Sequence, residues 1–291
     1  MMTNRRPSEW SARRSRASNL AESLATRISG ARLPTALGAI ARQRLVNQIV
    51  FKPLLIDGSI AVAENGFSIS LRCEESEIDE FTRKLNRDDT GRLLPWRTRF
   101  TLAHEIAHTF FFDITRRPPR SKVDFDNPRT MHSLEQSCHR AALQLLLPEA
   151  TLATRYWRMD FLLPSSLRKI CFDAAISAPA VIMRFRYLRR ITHPFGILLC
   201  VERSPDGFVI NSISRHPGCR EAFESSKPGQ SLRALIPDPG FLLNEGTKSE
   251  LTVLDKSRNN PDSNSFTARC EGRSAAKVGA LFVTLQPNPN I

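Results

Sequence analysis

The strongest constraint on this chain is the stretch from Phe100 to Phe110, which reads FTLAHEIAHTF and places two histidines four residues apart. Residues four apart lie on one face of an α-helix, one turn from each other. His104 and His108 can therefore each direct a ring nitrogen towards a single zinc ion. Glu105 is rotated by about 100° around the helix, so its carboxylate lies beside such an ion rather than on it. This arrangement is typical of zinc-dependent peptidases, in which the metal activates water and a glutamate takes the proton.

The residues around the two histidines favour a helix. An apolar stripe with helical spacing runs through Phe100, Ala103, Ala107 and Phe110. Pro95 suits the first turn of a helix, where its missing N–H is not needed. We therefore predict a helix from about Trp96 to Asp113. The plainer interpretation is an ordinary helix with two partly buried histidines and a solvated glutamate.

A third metal ligand is expected outside this stretch, because a catalytic zinc site uses three protein ligands and one water. Ser133, with Gln136 three residues later, has the pattern of a capping box and predicts the start of a second helix. Position alone leaves three candidates in this region, in the order Glu135, His139 and His132. His139 lies one turn beyond Glu135 on the same face, so it can also act as a hydrogen-bond partner of that carboxylate.

Two segments resemble the ImmA/IrrE family of metallo-endopeptidases. They are RTRFTLAHEIAH at residues 97–108 and EQSCHRAALQLLLP at residues 135–148. The family typically shows R-x-R-F-T-x-A-H-E-x-x-H, followed by E-x-x-A-N and an L-L-M-P ending. His139 replaces the usual asparagine, Leu147 the methionine, and Phe112 a frequent histidine. The resemblance covers about residues 60–190.

The resemblance implies a role for each site residue. Glu135 falls on the third zinc ligand of the family, beside His104 and His108, and Glu105 falls on its catalytic glutamate. It also implies a cytoplasmic endopeptidase that cleaves a regulatory protein, characteristically a helix-turn-helix transcriptional repressor. The expected cofactor is Zn²⁺.

The chain carries a formal net charge of +13, which favours acidic partners such as nucleic acid. Residues 1–44 contain only two acids, and three arginines cluster at positions 13, 14 and 16. We interpret residues 1–50 as a basic N-terminal arm able to contact DNA. An alternative function follows from the same charge, namely a DNA- or protein-binding regulator in which any zinc is non-catalytic or structural.

No apolar run is long enough to span a bilayer, so no membrane partner is expected. The six cysteines are scattered and form no Cys-x-x-Cys pair, which favours a reduced, cytoplasmic protein.

The remaining sequence predicts an α+β fold: a zincin-like helical peptidase core with a small sheet over residues 51–190, and a β-rich region of unknown role over residues 191–291. Asn65-Gly66 predicts a β-hairpin over residues 60–72, whose strand is either an ordinary sheet strand or a substrate-binding edge. Residues 165–190 predict a helix-turn-helix-like unit that places Val181 and Phe185 inside and Arg184 outside. That unit serves either as structural support or as a DNA contact.

Overall fold

The computed structural model describes residues 9–124, 127–156, 164–185, 187–188, 197–204, 207–215, 229, 248–254, 265–271 and 281–287. The chain divides into two compact units. The first comprises residues 1–157 together with 173–176, and the second comprises residues 158–172 together with 177–291. The fold is mixed α+β, as the sequence predicts. Among the described residues, no helix is both long and apolar enough to cross a membrane.

The described residues form eight α-helices. Their bounds are α1 (Glu9–Ser29), α2 (Leu37–Gln43), α3 (Ile78–Arg87), α4 (Trp96–His108), α5 (Pro128–Leu146), α6 (Glu149–Arg155), α7 (Pro164–Ala174) and α8 (Ala178–Phe185). The strands are β1 (Val46–Lys52), β2 (Gly58–Ala63), β3 (Gly66–Arg72), β4 (Phe112–Asp113), β5 (Arg120–Ser121), β6 (Ile197–Ser204), β7 (Gly207–Arg215), β8 (Lys248–Leu254), β9 (Ser265–Glu271) and β10 (Leu281–Pro287). Short 3-10 helices cover Glu75–Glu77 and Thr109–Phe111.

The predicted hairpin at Asn65-Gly66 is confirmed, because β2 and β3 pair antiparallel around that turn. The sheet of the first unit has the order β1-β3-β2, with β1 parallel to β3. Alternate residues of the central strand, Phe67, Ile69 and Leu71, are fully buried. Helix α4 packs against β2 and β3. The strand β2 is therefore an edge strand that lies against α4. The strand with the clearest alternating pattern, β3, is the central strand.

Residues 9–50 differ from the predicted basic arm. They form α1, α2 and the start of β1, and α1 packs against α5. Ala17, Ala21, Leu24 and Ala25 are buried along one side of α1. The small apolar residues allow close helix packing. Of the basic side chains of α1, Arg16 and Arg27 are exposed, whereas Arg13 and Arg14 are half-buried. The first eight residues lie outside the described part of the chain.

The predicted helix-turn-helix-like unit corresponds to α7 and α8, which are separated by the turn at residues 175–177. Val181 and Phe185 are buried as expected. The prediction for Arg184 is wrong, because its side chain is fully buried. The sequence also predicts Arg186, Arg189 and Arg190 on the outer face of this unit, and these three residues lie outside the described part of the chain. The predicted boundary near residue 190 also differs from the observed division, which places most of α7 and all of α8 in the second unit.

The second unit carries a five-stranded antiparallel sheet with the order β7-β6-β10-β9-β8. The β-rich character expected for residues 191–291 is therefore present in the described strands. The sequence Ser204-Pro205-Asp206-Gly207 has the residues of a turn and also predicts a hairpin, and β6 and β7 pair antiparallel on either side of it. Residues 205 and 206 themselves lie outside the described part of the chain.

Candidate metal centre

Helix α4 begins directly after Pro95 and ends at His108, five residues earlier than predicted. The 3-10 helix Thr109–Phe111 follows directly, and the strand β4 comes after it. Arg44 holds this end of α4: its Nε donates to Thr109 Oγ1 at 3.1 Å, and its Nη2 donates to the Thr109 carbonyl at 2.6 Å. The guanidinium also lies 5.4 Å from the centre of the Phe110 ring. A buried cation at a helix C-terminus complements the helix dipole and fixes the turn that carries His108.

Helix α5 begins earlier than predicted. Asn127 is its N-cap, and the Asn127 side chain accepts hydrogen bonds from the N–H groups of Arg129 and Thr130. Pro128 occupies the first helical position. Ser133 therefore lies inside the helix, where its carbonyl accepts from the Ser137 hydroxyl. The earlier start places Glu135 at the eighth residue of α5, in its third turn. Helices α4 and α5 pack against each other.

His104, His108 and Glu135 converge where these two helices meet. His104 Nε2 lies 3.0 Å from Glu135 Oε2, and His108 Nε2 lies 3.2 Å from His104 Nε2. His108 Nε2 is also 3.5 Å from Glu135 Oε1. One donor atom from each residue lies within 4.8 Å of the other two. Two imidazole nitrogens and one carboxylate oxygen at this spacing are able to hold a single metal ion.

The other two candidate ligands do not join this group. His139 lines the same cleft, but its ring packs 4.9 Å from the Phe100 ring and 6.5 Å from the His104 ring, measured between centroids. His132 is exposed, and its Nε2 lies 2.8 Å from Gln136 Nε2. Among the described residues, the group of possible ligand atoms contains Glu135 and neither His139 nor His132.

Glu105 is buried beside the three residues, with only 6% of its surface exposed. Burial raises the pKa of this carboxyl group to about 7, against the opposing influence of His104. Burial also lowers the pKa of His108 to about 4, so that its imidazole is neutral. A carboxylate whose pKa is near neutrality is suited to accept and return a proton.

The strand β2 closes one side of the site at Gly58. A Cβ atom at this position would lie 2.6 Å from Thr101 Cγ2 and 3.1 Å from Glu105 Oε1. Only a glycine allows the strand to approach α4 this closely. Sequence reasoning did not single out Gly58 or Arg44, because neither belongs to a motif and each contacts α4 from more than forty positions away.

The three residues open into a cleft of about 540 Å³. One wall comes from the chain before and along β2, including Ile56, Ser59 and Ile60, and the other comes from α4 and α5. Asp57 lines the cleft and forms a bidentate pair with Arg97, whose Nε donates to Oδ2 at 3.1 Å and whose Nη2 donates to Oδ1 at 3.0 Å. The cleft is therefore open to a ligand that is larger than water, and its floor is polar.

No family model and no curated protein match this chain. Among solved structures it is similar to a Mycobacterium tuberculosis transcriptional regulator, with 12% sequence identity and a TM-score of 0.46. That comparison covers 94% of this chain and 88% of the other. A likeness at this level carries no argument about function, so the functional conclusion depends on the site.

Proposed function

We propose that this chain is a zinc-dependent endopeptidase with a zincin-like core, as the resemblance to the ImmA/IrrE family implies. His104, His108 and Glu135 hold Zn²⁺, and Glu105 is the catalytic residue. The observation that carries the proposal is the convergence of three ligand atoms within 4.8 Å beside a buried glutamate.

The donor set suits the metal. Zinc is commonly bound by two histidines and one carboxylate in hydrolytic sites, with a further position left for water. A ligating imidazole has to be neutral, and burial already favours the neutral form of His108. When bound, Zn²⁺ supplies a Lewis acid that brings the pKa of water to about 7.

The chain itself supplies the proton transfer and the binding surface. Glu105 accepts a proton from the attacking water and passes it to the leaving amine, a role suited to its raised pKa. The free edge of β2 binds an extended substrate backbone. The Asp57 carbonyl already accepts from the Arg72 N–H at 2.9 Å. The antiparallel alternation therefore directs the backbone groups of Gly58 and Ile60 towards the open edge.

We further propose that the substrate is a regulatory protein, in keeping with the helix-turn-helix repressors that the family cleaves. The cleft accepts a polypeptide because it is open along β2 and lined by both apolar and polar groups. A cytoplasmic location belongs to the same proposal. Cys73, Cys138 and Cys171 are buried and are not joined in disulfide bonds, which is compatible with a reducing compartment.

Metal content tests the ligand set directly. We expect one zinc per chain in the purified protein, and its loss in His108→Ala and in Glu135→Ala. The matched control is Gln136→Ala, which changes the next position of α5, also exposed. Zinc retained in Glu135→Ala at the level of the control would contradict the assignment of the third ligand.

Peptide-bond cleavage tests the activity. A peptide library prepared from a bacterial proteome is incubated with zinc-loaded protein, and new termini are identified by mass spectrometry. We expect discrete cleavage sites that Glu105→Gln abolishes while zinc content is unchanged, with a loss of about 100-fold or more. Cleavage that persists in Glu105→Gln would show that a contaminating protease is responsible.

The alternative function, a DNA- or protein-binding regulator, is favoured by the net charge of +13. Binding to DNA through phosphates weakens steeply as salt increases. Gel-shift titrations of the zinc-free Glu135→Ala variant distinguish the two functions. Salt-sensitive DNA binding without any cleavage by the wild-type protein would favour the regulator, and cleavage without DNA binding would favour the peptidase.

A further inference from the structure

A second pocket of about 460 Å³ lies in the first unit, away from the metal centre. It is formed where the first half of α1 passes the segment that follows α4. Its cationic residues are Arg13, Arg16 and Lys122, and the main apolar residues of its floor are Leu20, Phe110 and Phe111. We call it the cationic pocket. Its volume is within the range of about 300–1,000 Å³ that small-molecule sites occupy.

The charged residues that line the pocket are all cationic. Arg16 and Lys122 are exposed at the mouth, and Arg13 donates from Nη1 to the Lys122 carbonyl at 2.5 Å. None of the described residues that line the pocket is acidic. The carboxylate of Asp113 interacts electrostatically with Lys122 from outside the lining. Arg16 and Lys122 carry the same charge at this opening, and an anion bound between them would be attracted to both.

The floor is apolar and firmly held. Phe110 and Phe111 are only 8% and 3% exposed, and the Arg44 guanidinium lies against the Phe110 ring on the protein side. The ring of Trp10 lies 6.4 Å from that of Phe111 and lies under the Arg13 guanidinium, 5.8 Å away. Aromatic floors of this kind bury hydrocarbon, which stabilises a complex by about 25 cal/mol per Å² of apolar surface.

We infer that the cationic pocket binds a small anionic amphiphile, a molecule with a phosphate or carboxylate at one end and an apolar chain at the other. The head group lies between Arg16 and Lys122, and the chain lies on Leu20, Phe110 and Phe111. A purely acidic peptide fits less well, because it would leave the apolar floor uncovered. This inference does not depend on the proposed peptidase activity.

Calorimetric titration with decyl phosphate, below the concentration at which it forms micelles, tests the inference on the full-length protein. We expect saturable binding of one molecule per chain. Octyl phosphate is expected to bind about threefold more weakly for each methylene removed. Decyltrimethylammonium, inorganic phosphate and hexaglutamate are expected to bind at least about tenfold more weakly than decyl phosphate. Equal binding of the cationic detergent, or of hexaglutamate, would overturn the inference, because the head group or the floor would then contribute nothing.

Matched variants locate the binding. Arg16→Ala combined with Lys122→Ala is expected to weaken decyl phosphate binding by about three- to tenfold. The control is Lys52→Ala combined with Arg87→Ala, which removes the same charge from exposed positions that do not line the pocket. Leu20→Ser is expected to weaken decyl phosphate more than inorganic phosphate. Equal affinity in the pocket variant and the control would overturn the inference even though both proteins remain folded.

Discussion

The two sides of α4 differ in what their charged and polar side chains contact. On one side they contact one another, and on the other side the side chain donates to backbone carbonyls. On the cleft side, the donor atoms of His104 and His108 lie 3.2 Å from each other and close to the Glu135 carboxylate. On the opposite side, Arg99 is fully buried and donates to four backbone carbonyls. They are those of Thr90 (2.9 Å), Ala174 (2.7 Å), Ala175 (3.4 Å) and Thr35 (3.1 Å). A side chain whose hydrogen bonds are all satisfied by backbone maintains the fold. On the cleft side, the ring nitrogens and the carboxylate oxygen lie close enough together that they could hold one ion, which is the basis of the proposed metal site.

The largest expected effect is a loss of stability on the side of α4 that carries Arg99. Arg99→Met removes the donor from four carbonyls in three segments, and each unsatisfied buried acceptor costs about 1–3 kcal/mol. We expect the free energy of unfolding to fall by about 3–5 kcal/mol in urea titrations. The control is Arg97→Met, two residues earlier on α4, whose side chain is 80% exposed. The control should lose less than about 1 kcal/mol. If the free energy of unfolding fell equally in Arg99→Met and Arg97→Met, the buried hydrogen bonds of Arg99 would not be important for stability.

The next effect belongs to the cleft side and depends on metal. If the three residues hold zinc, the native state gains about 2.7 kcal/mol when free zinc exceeds its dissociation constant 100-fold. Thermal unfolding should therefore occur at a higher temperature with zinc than with chelator in the wild-type protein and in Arg97→Met. In Glu135→Ala the two transitions should coincide. If zinc raised the unfolding temperature of Glu135→Ala as much as that of the wild-type protein, Glu135 would not be a zinc ligand.

Gly58 offers a smaller effect that couples the sheet to the cleft. Gly58→Ala places a methyl group against Thr101 Cγ2 and Glu105 Oε1. Overpacking of this kind costs about 1–3 kcal/mol, and the displaced Glu105 should reduce peptide cleavage. Thr101→Ser removes the closest contact and keeps the hydroxyl that donates to the Arg97 carbonyl at 3.1 Å. The double variant should regain part of the stability and activity. No recovery would show that the contact with Thr101 is not the cause.

The helices of the site were predictable because their signals are local. His104, Glu105 and His108 fall within one and a half turns, and the apolar stripe beside them repeats with helical spacing. Glu135 was one of three candidates from position, and the family resemblance separated it from His139. The observed spacing of 3.0 Å between His104 and Glu135 agrees with that choice.

The parts that sequence reasoning missed depend on distant contacts. Arg184 has a charged side chain in a short amphipathic helix, and residue type alone suggested the solvent side, whereas it is buried. Residues 9–29 have the composition of a flexible arm, but they form α1, which packs against α5 and buries several of its alanines. Gly58 looks like an ordinary strand residue until β2 lies against α4. In each case the deciding partner comes from another element of the chain.

The smallest expected effect comes from an exposed ion pair next to the Arg99 anchor. Arg42 forms a bidentate hydrogen bond with Asp89, at 2.9 and 2.6 Å, one residue before the Thr90 carbonyl that Arg99 contacts. The two side chains are 64% and 48% exposed, so solvent screens the pair. Asp89→Asn should cost no more than about 0.5 kcal/mol at pH 7.

The pH dependence of this small effect has a definite sign. The hydrogen bond from Arg42 holds the pKa of Asp89 below its ordinary value of 3.8. The folded state therefore favours the ionised carboxylate, and its contribution is present above pH 3.8 and is lost as the pH falls through the lower folded pKa. The stability difference between wild type and Asp89→Asn, measured by urea titration, should shrink towards zero in that acidic range. A difference that grows on acidification would show that Asp89 stabilises the loop through its neutral form. As with Arg99, the contribution of Asp89 would then come from hydrogen bonds with the backbone and not from a screened ion pair.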